Sequence, residues 1–235
     1  MLILSLFPGI DLFGRPFEAR GWCVVRGPEK CLGQDIVGWP SPPAGRFDGI
    51  IGGPPCQKYS SARRGQGNPW DGIPEFLRVV KAAQPRWWIM ENVRSAWKSD
   101  IKFTDAISIK IRDWDCGGKT KRVRLFWFWP FSLAMLAKSM LPSNRPGQPE
   151  YSVISSSGNR ISKRSFDHIL KSKEAADLQG FPELAKITYR SHERYSNQLR
   201  VHWLGNGVPR AMGEWCASVV DQWDKTYKSE NGEKS

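Results

Sequence analysis

Gly52-Gly53-Pro54-Pro55-Cys56-Gln57 is the sharpest chemical signal in the chain. A cysteine behind two prolines, at the end of an apolar run, sits on a stiff turn with its thiol aimed outward, a good mount for a nucleophile. A thiolate needs an electropositive, partly exposed setting. The competing reading is a small buried thiol, the commonest fate of a free cysteine, and the glycines and prolines beside Cys56 weigh against it. Next comes Ile89-Met90-Glu91-Asn92-Val93. Glu91 follows the apolar residues 87–90 directly, where a carboxyl is desolvated and its pKa rises, which lets it act as an acid. The competing reading is a surface acid or a helix cap. In Lys121-Arg122-Val123-Arg124, Arg122 and Arg124 share one face of a strand. Two guanidiniums on one face can order a phosphate, a carboxylate or a base carbonyl; the alternative is a charged edge strand that resists aggregation. Gly205-Asn206-Gly207-Val208-Pro209 offers backbone amides and the Asn206 side chain to a ligand. In isolation it reads first as a turn and helix start.

Positioning these groups takes a regular framework. Residues 2–6, 22–25, 47–51, 87–90 and 123–128 are short apolar runs closed by turn residues, and read as strands. Helical patterns fall on residues 13–19, on 74–83 with proline at the start, on 133–140, on 173–178 and on 210–223. Strands alternating with helices argue for an α/β sheet that is largely parallel. Such sheets bind ligands in the crevice at the carboxyl ends of their strands. Phe7-Pro8-Gly9, Glu29, residues 53–57 and Glu91-Asn92 are all placed just after strands. Residues 132–170 are basic and rich in Ser, Pro, Gly and Asn, and read as a small lobe or extended loop region. The tail after Lys225 is polar and reads as frayed.

The chain has 235 residues with 40% apolar content, which suits one globular domain or a domain with a small lobe and excludes a disordered chain. The longest uncharged stretch, residues 125–137, is too short to span a bilayer. The N-terminus has no basic leader region and reaches Asp11 too early for a signal peptide. The 5 cysteines form no CxxC pair, which points to reduced thiols in the cytoplasm. His168, His192 and His202 lack ligand spacing with other His or Cys, so no metal is expected. Net charge is +12, and it is uneven: residues 119–173 carry eleven Lys/Arg against Glu150 and Asp167. That excess favours a polyanion such as nucleic acid, or else forms a solvated face that aids solubility.

Together and in this order, the motifs resemble the DNA cytosine-5 methyltransferase family over most of the chain. LSLFPGIDLFG is similar to the family's first, cofactor-binding motif. GGPPCQ resembles its catalytic loop, MENV its glutamate motif and TKRVR its paired-arginine motif. EAADLQGFP and GNGVP resemble its last two motifs. The resemblance implies an α/β, Rossmann-like fold of the type dependent on S-adenosyl-L-methionine (AdoMet), with a mixed, mostly parallel sheet and a small irregular target-recognition lobe. It divides the chain into a catalytic core (1–130), a target-recognition region (131–200) and a segment returning to the core (201–235). It implies methyl transfer from AdoMet to C5 of cytosine in double-stranded DNA on a flipped-out base, with S-adenosyl-L-homocysteine as product. In those roles Cys56 attacks C6, Glu91 holds and protonates N3, Asn92 fixes the loop, and Arg122 and Arg124 orient the base and the loop. Phe7, Gly9, Ile10, Asp11, Glu29, Asp35, Ile36, Gly53, Pro55 and Asn206 would contact the cofactor. Gln57, Ser60, Arg160, Lys163 and Arg164 would contact the substrate, with Asn159 beside them.

Several positions depart from the family pattern. Asp11 and Leu12 stand where two glycines are usual, so the turn is shaped differently or Asp11 touches the amino group of the methionine moiety. Pro28 leaves the register of Glu29, the expected ribose acid, open. Thr120 replaces a usual glutamine, and the short stretch between Val93 and Thr120 implies that a core strand or helix is missing. The short region after Phe131 implies a target of two to four base pairs or relaxed recognition. Two further readings stand beside the leading one: a non-catalytic DNA-binding relative, and a methyltransferase acting on tRNA. A small monomer of this kind suits a restriction-modification system with an endonuclease partner, a phage or another mobile element, in the cytoplasm of a bacterial or phage-infected cell.

Overall fold

The computed structural model describes residues 1–29, 33–55, 70–94, 96, 105–143, 145–147, 149, 161–162, 167–168, 171–187 and 196–232. Its centre is a six-stranded sheet of β1 (Leu2–Leu6), β2 (Cys23–Arg26), β3 (Gly49–Gly52), β4 (Trp87–Val93), β5 (Ile107–Arg112) and β6 (Val123–Trp129), in the order β2-β1-β3-β4-β6-β5. The pairings β1–β2, β1–β3 and β3–β4 are parallel. Those of β6 with β4 and with β5 are antiparallel.

The central strands are apolar on both faces because helices cover both faces. Ile3, Ile51, Trp87, Ile89, Phe126 and Phe128 pack on one side with α1 (Arg15–Glu18), α3 (Phe131–Ser139) and α6 (Arg210–Asn231). Their neighbours in sequence, Leu4, Ile50, Trp88, Met90, Leu125 and Trp127, pack on the other side. There they meet Ile73, Phe76, Val79 and Ala83 of α2 (Ile73–Ala83). This period-two division is the pleat of the strands acting on a chain with no polar face to spare. A third cluster joins Ile10 and Leu12, just after β1, to α4 (Ser172–Leu178), to a short 3₁₀ turn at Pro182–Leu184 and to α5 (Asn197–Asn206). A two-stranded ribbon, β7 (Ile161–Ser162) with β8 (Asp167–His168), lies in the middle of the chain's basic region.

Four expectations change. The stretch between Val93 and Thr120 does contain a core strand, β5. Its sequence ISIKIR alternates, and Ile109 and Ile111 are buried while their neighbours face outward. Glu91 and Asn92 lie inside β4, which runs on to Val93 because β6 pairs with it to that point. Asn206 closes helix α5 instead of sitting in a turn; Ser196 caps that helix by accepting from the Leu199 amide at 3.2 Å. The tail is helical to Asn231, held by the stack of Trp223 on Tyr227, by the Lys228–Asp224 ion pair and by Arg86 over the Tyr227 ring.

Candidate active site

In the order β2-β1-β3 the chain moves to one side of β1 and then back past it to the other, a switch point that makes the carboxyl ends of β1 and β3 the expected place for a ligand. Phe7 and Gly9 follow β1 with positive φ angles, 54° and 52°. The Gly9 amide donates to Glu29 Oε2 at 2.8 Å. That bond fixes the register left open by Pro28 and sets Glu29 beside the first motif's turn. Phe7 faces Trp70 with ring centroids 6.0 Å apart. Ile36 is buried against the α2 side of the sheet, and Arg78 of α2 donates to the carbonyls of Ile36 and Trp39. Exposed Asp35 accepts from the Val37 amide at 3.1 Å.

Asp11 is turned inward. Its carboxylate accepts from Ser5 Oγ at 2.8 Å and from the Gly14 amide at 3.1 Å, and pairs with Arg26 Nε at 3.0 Å. Burial pushes this carboxyl above its ordinary value, against the pull of Ser5 and Arg26. Asp11 therefore ties the turn to β1 and β2, and of the two expectations for it, a differently shaped turn is the one the geometry matches. Leu12, its neighbour, lies against Gly207, where a Cβ would stand 2.4 Å from Leu12 Cδ1. Only a glycine lets the α5–α6 junction come this close. Gln179, at the end of α4, braces the same junction: its Nε2 donates to the Leu204 carbonyl, and its own carbonyl accepts from the Arg210 amide. Gln179 lies in the EAADLQGFP string, whose residue types alone give it no role; burial of its polar side chain is what marks it. Asn206 is exposed, with Nδ2 3.0 Å from His202 Nε2.

At the neighbouring strand ends, Asn92 is 1% exposed, and its Nδ2 donates to the Pro54 carbonyl at 3.2 Å. Asn92 Oδ1 accepts from the Val93 amide at 2.8 Å. The glutamate motif thus fastens the Pro54-Pro55 turn directly. Glu91 is buried, and Arg124 Nε, across the β4–β6 pairing, reaches its Oε1 at 2.5 Å. The other oxygen, Oε2, faces Gly53: a Cβ on that glycine would stand 3.1 Å from Oε2 and, among the described residues, meet no other group within 4 Å. Desolvation pushes the Glu91 carboxyl above its ordinary value, and Arg124 and Arg122 reverse only part of that. The structure therefore brings Glu91, Asn92, Arg122, Arg124, Gly53 and Pro55 together at one end of the sheet. Cys56, Gln57, Ser60, Asn159, Arg160, Lys163 and Arg164 lie outside the described residues. Among the described residues no cluster of His, Cys, Asp and Glu is arranged to hold a metal, and no helix is long and apolar enough to cross a membrane.

The three-layer sheet and the crevice beside β1 define the Rossmann-like methyltransferase fold. The Dnmt2 methyltransferase of S. pombe superposes with a TM-score of 0.62 over 95% of this chain and 99% of that one, at 11% identity. The Entamoeba histolytica methyltransferase EhMeth superposes with a TM-score of 0.63 over 95% and 98%, at 12% identity. Residues 40–114 match the family model of the C-5 cytosine-specific DNA methylases. The type II methyltransferase M.FnuDI of Fusobacterium nucleatum is 28% identical over 152 residues, 57% of this chain and 44% of that protein. M.DdeI of Desulfomicrobium norvegicum is 25% identical over 233 residues, 83% of this chain and 55% of that protein. The chain is thus similar to the C5 cytosine methyltransferases over residues 40–114 and in its matches to type II methyltransferases, and it spans about half the length of the curated relatives it matches.

Proposed function

We propose that the chain transfers the methyl group of AdoMet to C5 of cytosine in DNA. One observation carries this reading. A buried carboxyl, Glu91, is pinned by Arg124 on one oxygen, while its other oxygen faces Gly53 beside the Pro54-Pro55 turn. Cys56 is the next residue in sequence.

Cytosine C5 is a poor nucleophile until C6 is attacked. In this reading the Cys56 thiolate bonds to C6, while Glu91, in its protonated form, donates to N3 and makes C6 electrophilic. The C4–C5 bond becomes an enamine able to accept a methyl group. A base then removes the C5 proton, and the thiol leaves. Raising the pKa of Glu91 by burial keeps it an acid closer to neutral pH. The Arg124 pairing fixes its orientation, and Asn92 holds the cysteine turn at a set distance from it. A base stacked in a duplex cannot enter such a site, so it is flipped out at a cost of about a few kcal/mol. The surplus of Lys and Arg helps to offset that cost through phosphate contacts.

The residues at the strand ends fit AdoMet. The Phe7 and Trp70 rings suit adenine, the Glu29 carboxylate suits ribose hydroxyls, and among the described residues nothing stands within 4 Å of the place of a Gly9 Cβ. When bound, AdoMet supplies an electrophilic methyl on a sulfonium. The similarity to type II methyltransferases supports a restriction-modification setting; an endonuclease partner and a short target sequence belong to the same reading.

The test is a duplex of mixed sequence carrying 5-fluorocytosine, mixed with the chain and AdoMet and run on a denaturing gel. Fluorine cannot leave as a proton, so the enzyme stalls on its substrate. A covalent band that disappears in Cys56→Ala supports the reading. Absence of a band, with DNA binding and AdoMet binding each measured separately, overturns it in favour of a non-catalytic DNA-binding protein. A band with fluorocytosine tRNA alone turns the substrate from DNA to RNA.

A further inference from the structure

The connection from β5 to β6 carries a buried polar group that the proposed chemistry does not use. Asp113 and Thr120 are each 1% exposed, as is Arg122. Asp113 Oδ2 accepts from the Thr120 amide at 2.9 Å and from the Thr120 hydroxyl at 2.7 Å. The same hydroxyl accepts from the Arg122 amide at 3.3 Å, and the Asp113 amide donates to the Arg122 carbonyl at 2.8 Å. Gly118 presses against the carboxyl, where a Cβ would stand 2.0 Å from Asp113 Oδ1. The loop is thus wrapped around Asp113, and Arg122 is fastened to it through Thr120.

A buried guanidinium is costly unless carboxylates compensate it. Arg122 acts electrostatically on two, Asp113 and Glu91. With Arg124 included, two acids balance two arginines when Glu91 is ionised, and one positive charge is in surplus when it is protonated. We propose that Asp113 and Thr120 are positioning residues that fix the start of β6, and so hold Arg122 and Arg124 against the catalytic carboxyl of Glu91. The proposal rests on the role given to Glu91 above. Thr120 stands at the position where the resemblance expects a glutamine, so the device belongs to this chain's own sequence. Among the described residues, the charged groups acting on Glu91 are Arg122 and Arg124, and Glu91 in turn acts on the buried Cys216 of α6. Those near Asp113 are Arg122 and Cys116.

Asp113→Asn keeps the shape and an acceptor oxygen but deletes a charge. The cluster then carries one more positive charge, which favours ionised Glu91. The experiment uses the full chain labelled with ¹³C at glutamate carboxyls, with the Glu91 signal assigned by its loss in Glu91→Gln. In Asp113→Asn the Glu91 titration moves toward acid by roughly one pH unit. The alkaline limb of the methyl-transfer profile moves with it, and KM for AdoMet is unchanged. Thr120→Val also displaces the Glu91 titration, and Thr120→Ser restores it. These two variants carry the test if Asp113→Asn fails to fold. A folded Asp113→Asn or Thr120→Val whose Glu91 titrates as in the unsubstituted chain overturns the proposal. A displaced titration in a chain that methylates neither DNA nor RNA supports the network and refutes the methyltransferase reading.

Discussion

Replacing Asn92 by alanine removes two buried hydrogen bonds at once, one to the Pro54 carbonyl and one from the Val93 amide. Each bond contributes about 1 kcal/mol net, and a buried partner left unsatisfied costs about 1–3 kcal/mol. Water reaches neither group easily, because Asn92 is 1% exposed and Pro54 is buried. The expected loss of stability is therefore about 2–4 kcal/mol. For a chain of this length that corresponds to a fall in Tm of roughly 5–15 °C. The effect on methyl transfer is separate, because Asn92 is the tether between the glutamate strand and the turn that leads to Cys56. A misplacement of about 1 Å costs roughly a hundredfold in rate, so kcat falls by a factor of about 10–100, measured by transfer of labelled methyl to DNA. Affinity for AdoMet, read by calorimetry, stays the same, since Asn92 does not touch the Gly9–Glu29 turn. Asn92→Asp sharpens the test. It keeps the acceptor for Val93 but sets an oxygen against the Pro54 carbonyl, so it loses rate as the alanine variant does. Should Asn92→Ala melt within about 2 °C of the parent and retain full kcat, the tether argument is refuted.

Gly207→Ala drives a methyl into Leu12 and costs about 1–3 kcal/mol by overpacking; a second change, Leu12→Ala, recovers part of that, which denaturant melts of the double-mutant cycle measure. Methyl transfer should fall as pH rises through the Glu91 value, which burial holds above the ordinary carboxylate range, because only the protonated form donates to N3; a profile flat through neutral and alkaline pH contradicts this. At the opposite end of the sheet, Arg86 bridges Asp48 and Asp224 and lies over Tyr227. Burial raises the Asp224 carboxyl, but Lys228 and Arg86 outweigh it and leave it below its ordinary value. Its contribution is thus present above that ordinary value and lost as pH falls through the lowered one. Arg86→Met should cost about 1–2 kcal/mol at neutral pH and flatten the acid side of the stability profile, seen in urea melts at several pH values.

The strands that carry the site were legible because they are buried on both faces and stopped by Gly and Pro. LILSL and the run beginning at Trp87 have nowhere to go but the sheet centre. The edge strand β5 was not, although ISIKIR alternates clearly; three isoleucines between charges are a weak signal beside the missing-segment argument from family length. Helix α5 escaped notice because its apolar residues follow no single stripe, and its buried Val201 and Leu204 are chosen by Ile10 and Leu12, far away in sequence. The last turns of α6 likewise depend on Arg86, a partner that no local pattern can name. At the site, the residue types gave Glu91, Asn92, Arg122 and Arg124 and their common neighbourhood. They gave no role to Gln179 or Asp113, because a polar side chain in a loop declares its importance only once its burial is known. Asp11, read partly as a possible ligand contact, is instead spent on Ser5, Gly14 and Arg26.

The position of α6 has a consequence in time. A ribosome has made every strand of the main sheet once Trp129 has emerged. The face formed by Ile3, Phe17, Trp87, Phe126 and Phe128 is then still waiting for Met212, Cys216, Ala217, Val219, Val220 and Trp223. At about 5–20 residues per second the wait lasts several seconds or more. Throughout it the growing chain carries the part of that aromatic surface that α1 and α3 leave to α6. Synthesis slowed within residues 140–210 would lengthen that exposure and draw in chaperones or neighbouring chains, whatever the stability of the finished fold.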